Sequence, residues 1–240
     1  MVHTAAGAPK RWLDVGTGHG HFPHDAKKIL PDTEFDGLDI TEGVHIGQKE
    51  GRIGSAYQGH FVELAQEIAG QYDVISMYHY LEHTLDPGKE IAAAHTALPI
   101  GGYLSIELPD PESTWRRLLG RWWTPWLQPQ HLHMMPLGNL RTRLEDLGFT
   151  VVAEQRGEPH IPTDAISAVL LRVSAATIGG EDLAWRPAPP PRWRTILRKT
   201  AFIASIPFAL TALIIDRVSA PLGRDRGLSN AYRVLAQRTA

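Results

Sequence analysis

The sequence predicts an α/β fold, a largely parallel sheet covered by helices on both faces. Three observations predict it. Short apolar runs alternate with segments of helical period over most of the 240 residues, the pattern of βαβ units. The first run, Trp12–Val15, breaks into glycines at 16, 18 and 20 before a helix-like stretch. The second run ends near an acid, Asp39, nineteen residues past Gly20. Right-handed crossovers between such strands leave a crevice at their carboxyl ends, where ligands bind.

The elements follow in order. Trp12–Val15 reads as a buried strand and His24–Leu30 as the helix after its glycine turn. Glu34–Ile40 and Tyr72–Met77 read as strands. Asp86–Leu98 reads as a helix, with Pro87 in its first turn and Pro99-Ile-Gly-Gly closing it. Tyr103–Leu108 is a strand ending at Pro109, Leu137–Leu147 an amphipathic helix stopped by Gly148, and Phe149–Glu154 a further strand. Residues 185–194 form a proline-rich connector. Ala201–Ile215 is a fifteen-residue run without charge, bounded by Arg198-Lys199 and Asp216-Arg217 and interrupted by Pro207. It is short for a membrane span, which takes about 20 apolar residues. It reads first as a buried or lid helix and next as a helix lying in a membrane interface. Tyr232–Ala236 alternates weakly, as a last strand would.

Composition bounds the chemistry. The chain has no cysteine, which excludes disulfides, thiolate zinc, iron–sulfur sites and cysteine nucleophiles. The formal net charge of -2 exerts no global pull on nucleic acid or anionic lipid. That balance conceals an asymmetry: residues 186–240 carry ten Lys+Arg against two Asp+Glu. The first twenty residues lack the basic start and apolar core of a secretory signal, so a cytoplasmic location is expected, with contact at the inner membrane face through 195–217.

Leu13-Asp-Val-Gly-Thr-Gly-His-Gly20 is the strongest motif. Glycines there let the backbone turn tightly and approach a ligand, and the helix start offers free amide donors. The spacing is G-x-G-x-G; the dinucleotide fingerprint needs a glycine at position 21, where His21 stands. With no Tyr-x-x-x-Lys pair either, a nicotinamide-dependent oxidoreductase is the weaker alternative. Asp39 is placed to accept hydrogen bonds from both ribose hydroxyls of an adenosine.

These residues resemble the class I S-adenosylmethionine-dependent methyltransferases, over nearly the whole chain. Asp14, Gly16, Gly18 and Gly20 match the D-x-G-x-G-x-G of that family's first strand, and Asp39 its ribose-binding acid. Gln58-Gly-His-Phe61 falls where an acid and an apolar residue flank adenine, with His60 standing for the acid and Phe61 for the ring cover. The combination of Leu81-Glu-His83, Asp86-Pro87 and Gly101-Gly102 is most similar to a branch containing ubiquinone-biosynthesis-type small-molecule O-methyltransferases. The resemblance implies a Rossmann-like, doubly wound sheet of seven strands, the last antiparallel and supplied by Tyr232–Ala236. It also implies S-adenosylmethionine held by Asp14, Gly16, Thr17, Gly18, Gly20, Asp39, Ile40, His60, Phe61, Met77 and Tyr78. The implied organisation is a cofactor-binding core at 1–155, an α-helical lid at 156–228 and the final strand at 229–240. With only about ten residues ahead of the first strand, covering the cofactor falls to that lid. A cofactor-binding scaffold that has lost catalysis is the non-enzyme alternative.

Methyl transfer from a sulfonium is an in-line displacement, so alignment and exclusion of water dominate. An oxygen acceptor also needs a general base, and histidine is the first candidate among twelve. His79, Glu82 and His83 have i, i+3, i+4 spacing after the fourth strand. His79 and His83 are candidate bases. The related enzymes carry E-x-x-E-H there and bind a metal; His79 replaces the first acid, so the trio is a weaker metal candidate. Gln128-Pro-Gln-His-Leu-His133 follows the fifth strand, and Pro129-Gln-His131 matches a Pro-x-His element of the branch, making His131 a candidate base or substrate contact. His19, His21 and His24 share no face and read as surface. Trp115, Trp122, Trp123 and Trp126, interleaved with Arg116, Arg117 and Arg121, read as a flap walling a hydrophobic acceptor pocket rather than a single-strand stacking platform. Ser76-Met-Tyr-His79 stands where amino-methylating DNA enzymes carry Asp/Asn-Pro-Pro-aromatic. A small or lipid-like acceptor is therefore expected, and no nucleic acid.

Overall fold

A computed structural model describes residues 1–126, 129–156, 163–177, 191–223 and 228–240. After a short helix α1 (Val2–Ala6), the chain runs β1 (Arg11–Val15), α2 (His21–Ala26), β2 (Glu34–Asp39), α3 (Gly43–Lys49), β3 (Ala56–Gln58), α4 (Phe61–Leu64), β4 (Val74–Tyr78), α5 (Pro87–Ala97) and β5 (Tyr103–Pro109). Then come α6 (Thr114–Leu119), α7 (Leu137–Asp146), β6 (Phe149–Arg156), α8 (Asp164–Thr177), α9 (Arg192–Gly223) and β7 (Ala231–Arg238).

The seven strands form one sheet in the order β3-β2-β1-β4-β5-β7-β6. β1 pairs in parallel with β2 and β4, β2 with β3, and β4 with β5; β7 is antiparallel to β5. The order reverses between β1 and β4, so the carboxyl ends of those two strands flank the switch point. The strands there are buried on both faces, Leu13, Val74, Ile75, Met77, Leu104 and Ile106 having at most 0 % exposure, as a sheet covered on both sides requires. The α5 start shows the local logic: Pro87 occupies the first turn and the Asp86 carboxylate accepts from Lys89 N–H at 3.1 Å.

Two compact units are present: Met1–Asp110 with Pro129–Gln155 and Ala231–Ala240, and Pro111–Gln128 with Arg156–Asn230. The first holds the sheet and its main core. In the second, α8 and α9 pack along one another. Asp216 of α9 caps α8, its carboxylate accepting from the Ala165 and Ile166 N–H groups at 2.9 and 3.0 Å. Trp123 Nε1 donates to Asp164 Oδ1 at 2.9 Å, and Asn230 Nδ2 to its other oxygen at 3.1 Å.

Three expectations are corrected here. Trp115 and Trp123 are buried at 9 % and 1 % exposure and form the core of the second unit, so they are not flap walls; Trp122 and Trp126 are half-buried. Pro207 does not end its helix, because α9 runs through it from Arg192 to Gly223. The 201–215 run is not a buried helix, since Ile203, Ile206, Phe208, Leu210 and Ile214 are each more than half exposed. Most of the connector, residues 185–190, lies outside the described residues, as does Gln128; Arg192–Arg194 already belong to α9.

Candidate active site

Two loops leave the switch point, one from β1 and one from β4. In the first, Gly16, Gly18 and Gly20 have φ of +76, +55 and +72°, a region that side chains other than glycine rarely tolerate. The loop is tied to β2: the N–H groups of Gly16 and Thr17 both donate to Leu38 O, at 2.8 and 3.1 Å. A Cβ on Gly16 would come within 2.6 Å of Tyr80 Cδ2, whereas one on Gly18 would meet open space. Tyr80, absent from the sequence reading, therefore packs over the loop, with its hydroxyl donating to Glu90 Oε2 at 3.0 Å.

Asp39 holds this cradle. Its Oδ2 accepts from Gly18 N–H at 2.8 Å and its Oδ1 from the Thr41 N–H and hydroxyl at 2.8 and 2.7 Å. An ionised carboxylate offers about four acceptor positions, so Oδ2 keeps one for a ligand hydroxyl. Beside it Ile40 is 60 % exposed. His60 is also exposed, next to Gly59, whose N–H donates to Asp39 O at 3.0 Å. Thr17 is buried with its hydroxyl oxygen unpartnered among the described residues. Open space over Gly18, an orphaned hydroxyl and a half-exposed carboxylate fit an adenosine-bearing cofactor.

The other expected contacts divide. Asp14 is 4 % exposed and accepts from Ser76 Oγ at 2.6 Å, which in turn accepts from Trp12 Nε1 at 2.8 Å. Burial raises the Asp14 carboxyl to about 7, against that hydrogen bond. Phe61 and Met77 were expected to face the cofactor, but each side chain is fully enclosed in the main core. Tyr78 is half-buried, its hydroxyl paired with Ser105 Oγ at 2.9 Å and its phenol pushed up by burial to about 12; it stays neutral.

The second loop carries the histidines. His79 has φ +51°, the one positive value outside glycine among the described residues. Its Nδ1 lies 3.1 Å from Glu82 Oε1 and its Nε2 3.0 Å from Glu107 Oε1. Those carboxylates are 1 % and 2 % exposed, and Glu107 is also gripped by the Arg233 guanidinium of β7. Burial of the imidazole works against its charge, but the hydrogen bonds to Glu107 and Glu82 outweigh it and lift its pKa to about 9. His79 is thus an imidazolium with both nitrogens donating. With both ring nitrogens engaged by carboxylates, His79 offers no lone pair for the base role expected of it.

The other two candidate bases, His83 and His131, lie together. His83 Nδ1 donates to Gln130 O at 3.0 Å; a carbonyl can only accept, so Nε2 carries the lone pair. The 130–133 loop is pinned to the 81–83 turn by Leu132 N–H and His133 N–H, which donate to Glu82 O at 2.7 and 3.3 Å. The rings of His83 and His131 meet edge-on, centroids 4.7 Å apart. Ligand atoms of Glu82, His83 and His131 lie within 4.8 Å of one another, and Glu82 Oε2 is buried without a partner among the described residues. The side chains that could share an ion are therefore Glu82, His83 and His131, with His131 in the place expected of His79. His19, His21 and His24 are exposed.

A doubly wound sheet with an adenosine cradle at its switch point, and a histidine-bearing loop at the next strand, defines a nucleoside-cofactor enzyme. Residues 2–154 match the family described as methyltransferase domain. The chain belongs to that family, the S-adenosylmethionine-dependent methyltransferases. It is 30 % identical over 139 residues to the ubiquinone biosynthesis O-methyltransferase of Acinetobacter baylyi, an alignment covering 55 % of this chain and 58 % of that one; the chain spans a little over half the length of that relative. Among solved structures, it superimposes on a SAM-dependent methyltransferase from Archaeoglobus fulgidus with TM-score 0.56 and 19 % identity, covering 95 % of this chain and 86 % of the other. The [4+2]-cyclase SpnF gives TM-score 0.54 at 15 % identity, covering 99 % and 77 %. Those two likenesses concern the fold, and one fold hosts different reactions, so the acceptor chemistry rests on the site.

Two outcomes follow. Calorimetric titration with S-adenosylhomocysteine should show Asp39→Ala binding roughly 10- to 100-fold more weakly than the parent, the worth of lost charge-assisted hydrogen bonds. Asp14, raised in the fold above its unfolded value, contributes stability that is full below about pH 4 and declines as pH climbs toward 7. Asp14→Asn should remove that decline, gaining about 4 kcal/mol relative to the parent between pH 4 and pH 8 in denaturant melts; equal slopes in the two proteins contradict it.

Proposed function

We propose that the chain transfers a methyl group to a hydroxyl oxygen of a small, largely apolar or lipid-linked acceptor, at the cytoplasmic side of a membrane and without nucleic acid. The observation that carries it is the His83–His131 pair, whose His83 tautomer leaves a lone pair on Nε2. The name of the Acinetobacter relative, an O-methyltransferase of ubiquinone biosynthesis, supports an oxygen acceptor. Asp39, Thr17, Ile40 and His60 would hold the cofactor, which when bound would supply a methyl already activated by its sulfonium charge. His83 Nε2 would take the proton of the acceptor hydroxyl, and the Glu82 carboxylate, within 4.8 Å, would stabilise the imidazolium that forms. His131 closes the other side and orients the acceptor.

A second reading has a specific observation behind it: the unpartnered Glu82 Oε2 fits a divalent cation held by Glu82, His83 and His131. Such an ion would polarise the acceptor hydroxyl, and His83 would be its ligand. The test measures S-adenosylhomocysteine release with a panel of catechols and hydroxyquinols, with and without chelator. His83→Ala should lower kcat by roughly 10²- to 10⁴-fold, with cofactor affinity unchanged. Activity that survives chelation supports the base; loss restored by added metal supports the second reading. Full activity in His83→Ala sinks both.

A further inference from the structure

The α8–α9 pair is built inside out. On α9 the residues facing α8 are small or polar, Ser205, Ala212 and Asp216 being buried at 7, 5 and 0 % exposure. The large side chains point the other way: Ile203, Ile206, Phe208, Leu210 and Ile214 are 51–68 % exposed. A water-facing helix shows the reverse arrangement, whereas small residues at the helix contact with large apolar ones outward is the packing used against lipid. By length and composition Arg192–Ser219 of α9 is long and apolar enough to cross a membrane, and only 17 % of its apolar window is buried, so it is not a core helix. Leu170 and Leu171 of α8 are 39 and 36 % exposed as well. Exposed contiguous apolar surface of this kind marks an interaction site.

Charge says what covers it. The sole acid of α9, Asp216, is spent on the α8 cap. The remaining charges are all basic: Arg192, Arg194, Arg198 and Lys199 before the apolar run and Arg217 after it. Arginine–tryptophan pairs border the hairpin, Arg194 over Trp193 at 5.2 Å and Arg172 of α8 over Trp122 at 5.7 Å. Tryptophan and basic side chains of this kind belong at the headgroup level of a bilayer. The uncharged run of fifteen residues extends about 22 Å at 1.5 Å per residue, short of the ~30 Å hydrocarbon core. A helix lying in the interface suits it. We infer that the outward face of α8–α9 seats the protein on an anionic bilayer surface. The inference needs no particular acceptor and stands apart from the proposed base.

The test is flotation of the full-length protein with vesicles of phosphatidylcholine, alone or mixed with phosphatidylglycerol. The parent should float, and float better with the anionic lipid. Phe208→Glu with Ile214→Glu should lower the bound fraction roughly tenfold or more. Arg198→Glu with Lys199→Glu should remove the preference for anionic lipid. Unchanged S-adenosylhomocysteine affinity, measured on each variant, shows that the fold persists. A parent that stays unbound to both vesicles overturns the inference. So does a dimer, seen by light scattering, that Phe208→Glu with Ile214→Glu dissolves while no vesicle is bound, because the occupant is then a second copy.

Discussion

The site depends on one charge-balanced cluster, the His79 imidazolium between the carboxylates of Glu82 and Glu107, with Arg233 closing the far side of Glu107. Two carboxylates almost wholly withdrawn from water are costly alone, and among the described residues His79 and Arg233 offset them. Its members come from different places in the chain. Glu107 stands on β5, opposite Tyr78 of β4 and Arg233 of β7, while Glu82 lies in the turn that carries His83. Through Glu82 the cluster fixes that turn, and through the Glu82 carbonyl it fixes the 130–133 loop. Backbone strain of about 1–3 kcal/mol, the usual cost of a left-handed residue other than glycine, is accepted at His79 to place its ring there.

Much of this was legible in the sequence because the signal was local. A G-x-G-x-G turn after a buried strand can be read without a partner, and so can an acid at the next strand end; both stand where that reasoning puts them. The antiparallel last strand followed from resemblance and is present as Ala231–Arg238. What failed was orientation. Met77 and Phe61 were near the right strand and helix ends, but pleat and helix phase turn both side chains into the core. His79 looked like a base because Glu107, 28 residues away, and Arg233 are invisible as neighbours in one dimension.

The apolar run at 201–215 shows the same limit from the other side. Its composition is that of a core helix, and composition alone favours burial. Which face is buried depends on the partner, and α8 takes the small and polar side. Tyr80 gave no signal, since its value lies in packing over Gly16, a contact that only the fold creates. The histidine pair lies between: each half was a candidate, but the hydrogen bonds from Leu132 and His133 to the Glu82 carbonyl and from His83 to the Gln130 carbonyl bring the two rings together.

The division of labour among the histidines is the central claim, and nitrogen NMR of the imidazoles tests it most directly. The account predicts that His79 carries protons on both ring nitrogens at pH 7 and titrates near 9, while the His83 ring, once deprotonated, keeps its hydrogen on Nδ1. A His79 ring that is neutral at pH 7, or a deprotonated His83 with its hydrogen on Nε2, would contradict the assignment of positioning charge and base.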